Sequence, residues 1–135
     1  MADYAYLQSC SGLQPPCSSS AVDAIEADLK YRFPREYREF LETADGGLLT
    51  DTVILFSAGK GIDPSETLRT ANHDRPGLPL VLVGRFADEE FGFSRNDASD
   101  PARSVYVYEH ETGEVRKVAD SFEGLVRSAM RGDRF

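Results

Sequence analysis

The stretch VDAIEADLKYRFPREYREFLETADGGLL, residues 22–49, carries the most information about the fold. Val22, Ile25 and Leu29 recur at i, i+3 and i+7, the spacing of one helical face. Ser20 stands in a capping position, and Asp23 and Glu26 put negative charge into the early turns, where the helix dipole favours it. Pro34 closes that element and opens the next, because proline is accepted at the first helical position. Tyr37, Phe40, Leu41 and Ala44 then form an i, i+3, i+4, i+7 stripe, with Arg35, Glu36, Arg38, Glu39 and Glu42 on the solvated face. Gly46 and Gly47 follow directly, and glycine suits a helix stop that enters the left-handed region. Residues 20–47 therefore read as a helical hairpin.

Downstream the period changes to that of strands. Residues 52–57 (TVILFS) are β-branched and apolar, residues 80–86 form an apolar run, and in EFGFS Phe91 and Phe93 alternate with smaller residues. Residues 64–73 suggest a short helix opening at Pro64, Pro76, Gly77 and Pro79 force a turn, and residues 95–103 are turn chemistry throughout. Val105, Tyr106, Val107 and Tyr108 make the strongest strand, and HETGE turns it back through Gly113 to a partner at residues 114–118. Asp120 and Glu123 resemble a capping box before a last helix with a stripe of Phe122, Leu125, Val126, Ala129 and Met130. Two helices, several antiparallel strands and a closing helix make an α+β chain. Residues 1–19, rich in Ser, Gln, Pro and Cys, read as an extended arm ahead of a single domain at 20–135.

The chain has 135 residues, 41% hydrophobic and 28% charged, a globular balance. Fifteen Lys and Arg against 23 Asp and Glu leave a net charge of −8, spread evenly along the chain. That balance disfavours direct nucleic-acid binding, which depends on neutralising phosphates, and either favours a basic protein partner through faster encounter or serves solubility alone. No apolar run approaches the roughly 18 residues of a membrane span, and the N-terminus lacks a signal-peptide pattern, so a cytoplasmic location and no membrane partner are expected. Cys10 and Cys17 have no second pair with which to hold a metal and are expected to be reduced.

A search for chemistry finds no catalytic set, no metal site and no cofactor motif. His73 and His110 lack the helical spacing of HExxH, no GxSxG elbow is present, and Gly59-Lys60-Gly61 does not fit a phosphate loop. Asp88-Glu89-Glu90 lacks the spaced ligands of a calcium loop and reads as a solvated turn. Tyr106 and Tyr108 share one strand face opposite Val105 and Val107; with the valines inward, the tyrosines and Glu109 and Glu111 form a surface suited to protein binding, unless the sheet is covered on both sides.

The 22–49 segment resembles the N-terminal signature of the SUKH superfamily, which includes a fungal cell-wall assembly regulator and many bacterial immunity proteins. The matching residues are Ile25 and Glu26, Leu29, Pro34 and Tyr37, Phe40-Leu41 and Gly46-Gly47, followed downstream by Leu78-Pro79, VYVYEHETGE and Ala119, Ser121, Phe122 and Glu123. The resemblance covers about residues 20–130. Leu29-Lys30 replaces a usual Leu-Gly, Phe33 a common Leu, Tyr108 a frequent Trp and Asp45 a usual Asn, all changes read as conservative. It implies an α+β domain whose mixed, largely antiparallel sheet is wrapped by an N-terminal helical hairpin and a C-terminal helix. It also implies a non-catalytic immunity protein that binds and neutralises a basic toxin, a nuclease domain in particular, inside the producing cell. The expected toxin-binding residues are Asp88, Glu89, Glu90, Tyr106, Tyr108, Glu109 and Glu111. Two other readings keep the sequence data: a cytoplasmic scaffold or regulatory binding domain, and an enzyme built on His110 and its flanking glutamates.

Overall fold

A computed structural model describes residues 4, 7, 12–50, 52–59, 67–74, 77–86, 89–95 and 104–132. Ser19–Leu29 forms α1 and Arg35–Leu41 forms α2; β1 is Gly47–Leu48 and β2 Val53–Leu55. Leu68–His73 is α3, followed by β3 (Leu80–Phe86), β4 (Glu89–Ser94), β5 (Val105–Tyr108), β6 (Val115–Ala119) and α4 (Phe122–Met130). The strands form one six-stranded sheet in the order β1-β2-β3-β4-β5-β6, and every neighbouring pair is antiparallel. The α+β class is as expected. Parallel pairing is limited, among the described residues, to an isolated bridge between Ser57 and Thr67.

The helical hairpin forms with different ends from those expected. Ser18, not Ser20, caps α1 and accepts from the Ala21 amide at 3.2 Å. The helix stops at Lys30, which takes φ 55° and ψ 43°, a left-handed conformation that glycine adopts without strain and other residues rarely do. The Leu29-Lys30 replacement is therefore not conformationally neutral. Glu26 then closes the hairpin: one carboxylate oxygen accepts from the Phe33 amide at 2.6 Å and the other from the Arg38 guanidinium, which also reaches Asp23 at 2.9 Å.

Gly46 and Gly47 do adopt positive φ, 74° and 113°, but they do not stop α2, which ends at Leu41 with Glu42 still right-handed. They start β1 where backbones crowd. A side chain at Gly46 would lie 2.6 Å from the Leu55 carbonyl, and one at Gly47 2.5 Å from the Gly12 carbonyl. Residues 12–14 run along the outer edge of β1 through the Leu13–Gly47 bridge, with Gln14 N–H donating to Gly46 O at 2.8 Å and Leu48 N–H to Gly12 O at 2.9 Å. Tyr4 and Leu7 are buried in the core, and the Tyr4 hydroxyl donates to Glu36 O at 2.9 Å.

At β3 the sheet is buried on both faces, since Leu80 and Leu82 share the face that carries Tyr106, and the aromatic part of the core lies between the other face and the helices. Phe91, Phe93, Val105 and Val107 line that face. Tyr37 and Phe40 from α2 and Phe122 from α4 pack onto it, with Tyr37 4.7 Å from Phe122 and 5.4 Å from Phe93, ring centre to ring centre. Edge-to-face contacts of this kind add to the roughly 1.5–3 kcal/mol that burial of each such ring contributes. Glu36 joins the two helices, accepting from the Phe122 amide at 2.5 Å. Ser121, not Asp120, caps α4 by accepting from Gly124 N–H, and Glu123 pairs with Arg127. Of the stripe expected on α4, Met130, the last residue of the helix, is exposed.

Thr67 caps α3, so the helix begins four residues after Pro64, which lies outside the described residues. Its Asn72 does the work of a missing strand. After β2 the chain makes one more bond to β3, from Phe56 N–H to Val83 O at 2.8 Å, and beyond it the Asn72 side chain takes over: Oδ1 accepts from Leu82 N–H at 2.7 Å and Nδ2 donates to Leu82 O at 2.9 Å. A primary amide offers the same donor and acceptor as a peptide unit, which explains a buried Asn in an apolar wall. Cys10, Asp88, Pro76 and residues 96–103 of the expected turn also lie outside the described residues.

Candidate functional site

Strand alternation sends Glu90, Tyr106 and Tyr108 to the face of the sheet opposite the helices. The registers join Glu90 and Tyr108 into one cross-strand row, with Leu48 opposite Ile54, Ile54 opposite Arg85, Arg85 opposite Glu90, Glu90 opposite Tyr108 and Tyr108 opposite Val115, while Tyr106 lies in the next row with Gly92 and Lys117. Side chains directly opposite on one face are within contact range, so the row is a physical strip of surface. Its apolar ends are open, Leu48 at 39% and Val115 at 38% exposure. The register shift between Leu82 and Gly84 keeps Arg85 on this face while Phe91, opposite Gly84, points to the core.

Among the residues expected to form the site, the structure brings Glu90 and Tyr108 side by side and adds His110. His110 Nε2 lies 3.1 Å from Glu90 Oε1, and the Tyr108 and His110 rings meet edge on at 5.1 Å. Glu90 is not part of a solvated turn: it is the second residue of β4 and its side chain is 14% exposed. Tyr106 and Tyr108 are half-buried and pack against the core cluster, so they offer ring edges more than whole faces. Gly92, opposite Tyr106, has no room for a side chain, since one would run into the Val81 carbonyl.

Glu109 is turned to the hairpin, where the Arg116 guanidinium holds it at 2.8 Å and lowers its carboxyl below the usual range. Glu111 is exposed in the turn, and Gly113 takes the positive φ of 74° expected there. Glu89 opens β4 opposite Phe86. Glu89, Glu90, Tyr108, Glu109 and Glu111 thus share one end of the β4–β5 pair, the start of one strand and the end of its antiparallel neighbour. Lys117, across from Tyr106, is bound to Asp120 at 2.5 Å, which raises its ammonium pKa.

Arg85 is the residue that sequence reading missed. It lies inside an apolar run, yet antiparallel pairing of Phe86 with Glu89 sets 85 opposite 90 by counting alone. That count was the available signal.

Nothing else among the described residues assembles into a reactive centre. His73 ends α3, where it and Arg69 clasp Asp28 of α1 at 2.9 and 3.2 Å and lower that carboxyl. Cys17 is a free thiol whose pKa burial pushes up, with Asp45 and Glu42 adding to the effect, the reverse of what a nucleophile needs. Asp45 accepts from the amides of Ala58 and Gly59 at 2.7 and 3.0 Å, a brace between the start of β1 and the loop after β2. Among the described residues no group of three His, Cys, Asp or Glu side chains is placed to hold a metal ion. No helix among them is long and apolar enough to cross a membrane.

No curated protein matches the chain. The model of the SMI1 / KNR4 family (SUKH-1) matches residues 16–128, which span α1 to nearly the end of α4 and leave Tyr4, Leu7 and Leu13 before the match. The chain belongs to the SMI1 / KNR4 (SUKH-1) family.

Proposed function

We propose that the chain is an immunity protein that binds a cognate toxin, a basic nuclease domain, and neutralises it by covering the surface that would grip nucleic acid. Family membership supports an immunity-type or related protein-binding role. The observation that carries the finer reading is the gathering of Glu89, Glu90, Glu109 and Glu111 around Tyr108 at one end of the β4–β5 pair, on a chain with a net charge of −8. Tyrosine offers a large, stiff contact surface with a polar tip, and the carboxylates steer a basic partner and suppress acidic ones. Asp88, next in the chain to Glu89, and Tyr106 complete the proposed surface. Inhibition here needs no chemistry, only occupancy.

The test is capture of partners from the native cell with the tagged chain at low and at moderate salt. One basic polypeptide should be recovered, weakened by salt, toxic when expressed alone and harmless when co-expressed with this chain. Reversing Glu89 and Glu90 to Lys should slow association more than it speeds dissociation, since rim charges act mainly on encounter. Salt-independent binding would remove the electrostatic part of the reading. Recovery of housekeeping proteins alone would point to a scaffold instead.

A further inference from the structure

The N-terminal arm meets the rest of the chain through two anchoring side chains and a short stretch of paired backbone. Tyr4 and Leu7 are 4% and 3% exposed. The Tyr4 ring meets Phe40 of α2 edge on at 5.5 Å, and its hydroxyl donates to Glu36 O at 2.9 Å. Leu7 N–H donates back to Tyr4 O at 2.9 Å, a turn that joins the two anchors. Farther along, the backbone pairs with the outer edge of β1, where Gln14 N–H donates to Gly46 O at 2.8 Å and Leu48 N–H to Gly12 O at 2.9 Å. Strand addition to a sheet edge is a recurring way of binding peptides: main-chain bonds supply affinity and buried side chains supply specificity. We propose that α2 and the outer edge of β1 form a peptide-binding groove, with this arm as its ligand in cis and the arm of a second copy as its ligand in trans.

Groove and ligand are separable along the chain. Glu36, Phe40, Gly46, Gly47 and Leu48 all lie within the SMI1 / KNR4 match at residues 16–128, and every arm residue that touches them precedes it. The close approach is built on both sides. A side chain at Gly12 would lie 2.5 Å from the Leu48 carbonyl, and one at Gly47 would lie 2.5 Å from the Gly12 carbonyl. Pro15 and Pro16, both exposed, connect the arm to the Ser18 cap of α1.

An arm docked in trans repeats the anchor and edge contacts of one docked in cis. What exchange gives up is at the junction, where Asp45 N–H donates to Pro15 O at 3.1 Å and Cys17 N–H to Leu41 O at 2.9 Å. A short tether holds its ligand at an effective concentration on the order of 1 mM, so the cis arm prevails in dilute solution. Trans docking takes over where the cis arm is weakened or the chain is concentrated. This inference does not rest on the toxin reading, since three strands separate β1 from the β5 that carries Tyr108.

The test uses the full chain carrying Tyr4→Ala and Gly12→Val, which loses an anchor and crowds the edge, with a synthetic peptide of residues 1–14 as probe. The peptide should bind this variant about tenfold or more tightly than it binds the wild type, whose own arm competes. A peptide with the same two substitutions should bind at least about tenfold more weakly. Hydrogen exchange at the Leu48 amide should speed up in the variant and slow again when the peptide is added. No binding to the folded variant up to about 1 mM peptide would overturn the groove, as would binding that leaves the Leu48 amide unprotected. Should the double variant fail to fold by circular dichroism, Gly12→Val alone takes its place. For the second copy, a Gly47→Ala chain keeps its arm but crowds its own groove. Mixed with the arm variant, it should sediment as a one-to-one complex. If Gly47→Ala does not fold, the wild type at about 1 mM replaces it, where the advantage of the tether is matched. Peptide binding without association of the two chains would overturn the trans ligand. A chain that neutralises a toxin yet binds no peptide would refute the groove and leave the immunity reading standing.

Discussion

On the face of the sheet that the helices cover, Phe91, Phe93, Val105 and Val107 are at most 1% exposed, while on the other face their strand neighbours Glu90, Tyr106 and Tyr108 keep part of their surface in solvent. The same strands build both faces, so the contrast isolates what each face depends on. The covered face draws its free energy from apolar area and ring packing, and it tolerates any arrangement that fills the volume. On the open face, order matters: shifting the register by one residue would send the phenylalanines outward and scatter the Arg85–Glu90–Tyr108 row. Apolar filling therefore governs one side of the sheet and register the other.

The sharpest way to break this division is Phe40→Ala. Phe40 is fully buried, 5.2 Å from Phe122 and 5.5 Å from Tyr4 between ring centres, so truncation should destabilise the fold by about 3–5 kcal/mol. Chemical denaturation measures it, and a change near zero would mean that the covered face is not where the stability lies.

Glu36 tests the seam between α2 and α4. Glu36→Ala should cost about 1–3 kcal/mol, because the Phe122 amide loses its acceptor in a half-buried site. Burial is the largest influence on this carboxyl and raises its pKa, while the amides of Phe122 and Glu123 pull it down. The folded chain therefore holds the proton more tightly than the unfolded one. This group favours the native state below the ordinary carboxylate range, and that contribution is lost as pH rises through the raised value. Glu36→Gln abolishes the titration and keeps an acceptor, so its stability relative to the wild type should grow with pH across that range. Thermal melts at several pH values decide it; an opposite trend would show that the amide bonds outweigh burial.

At the other extreme, Val115→Lys on the open face should move stability by no more than about 0.5 kcal/mol, as exposed positions generally do. A loss comparable to that of Phe40→Ala would mean that the second face is also structural.

Much of the covered face was legible in advance. Val22, Ile25, Leu29, Tyr37, Phe40 and Leu41 are buried as their spacing implied, because helical periodicity is a local signal that burial has to obey. Phe91 and Phe93 likewise face inward as alternation required. Helix ends were less legible: Ser18, Ser20, Asp120 and Ser121 are all competent caps by residue type, and packing selects between neighbours. Gly46 and Gly47 take the positive φ that their residue type suggests, but at the crowded start of β1, which looks the same in one dimension as a helix stop.

The candidate site was legible only as a list of residue types. Glu90, Tyr108, Glu109 and Glu111 were singled out by chemistry, but what each one faces depends on pairings between segments distant in the chain. Glu109 is held by Arg116, Glu90 lies 3.1 Å from His110 Nε2, and Arg85 enters the row unannounced. Composition and periodicity determined the class and the helical core stripes, because those are properties of residues within a turn or two of each other, and the resemblance in the order of motifs pointed to the family to which the chain belongs. Only the tertiary structure decided the continuous row across six strands, the arm along the edge of β1 and the Asn72 bridge to β3, because each depends on backbone registers that are set by how the whole sheet packs.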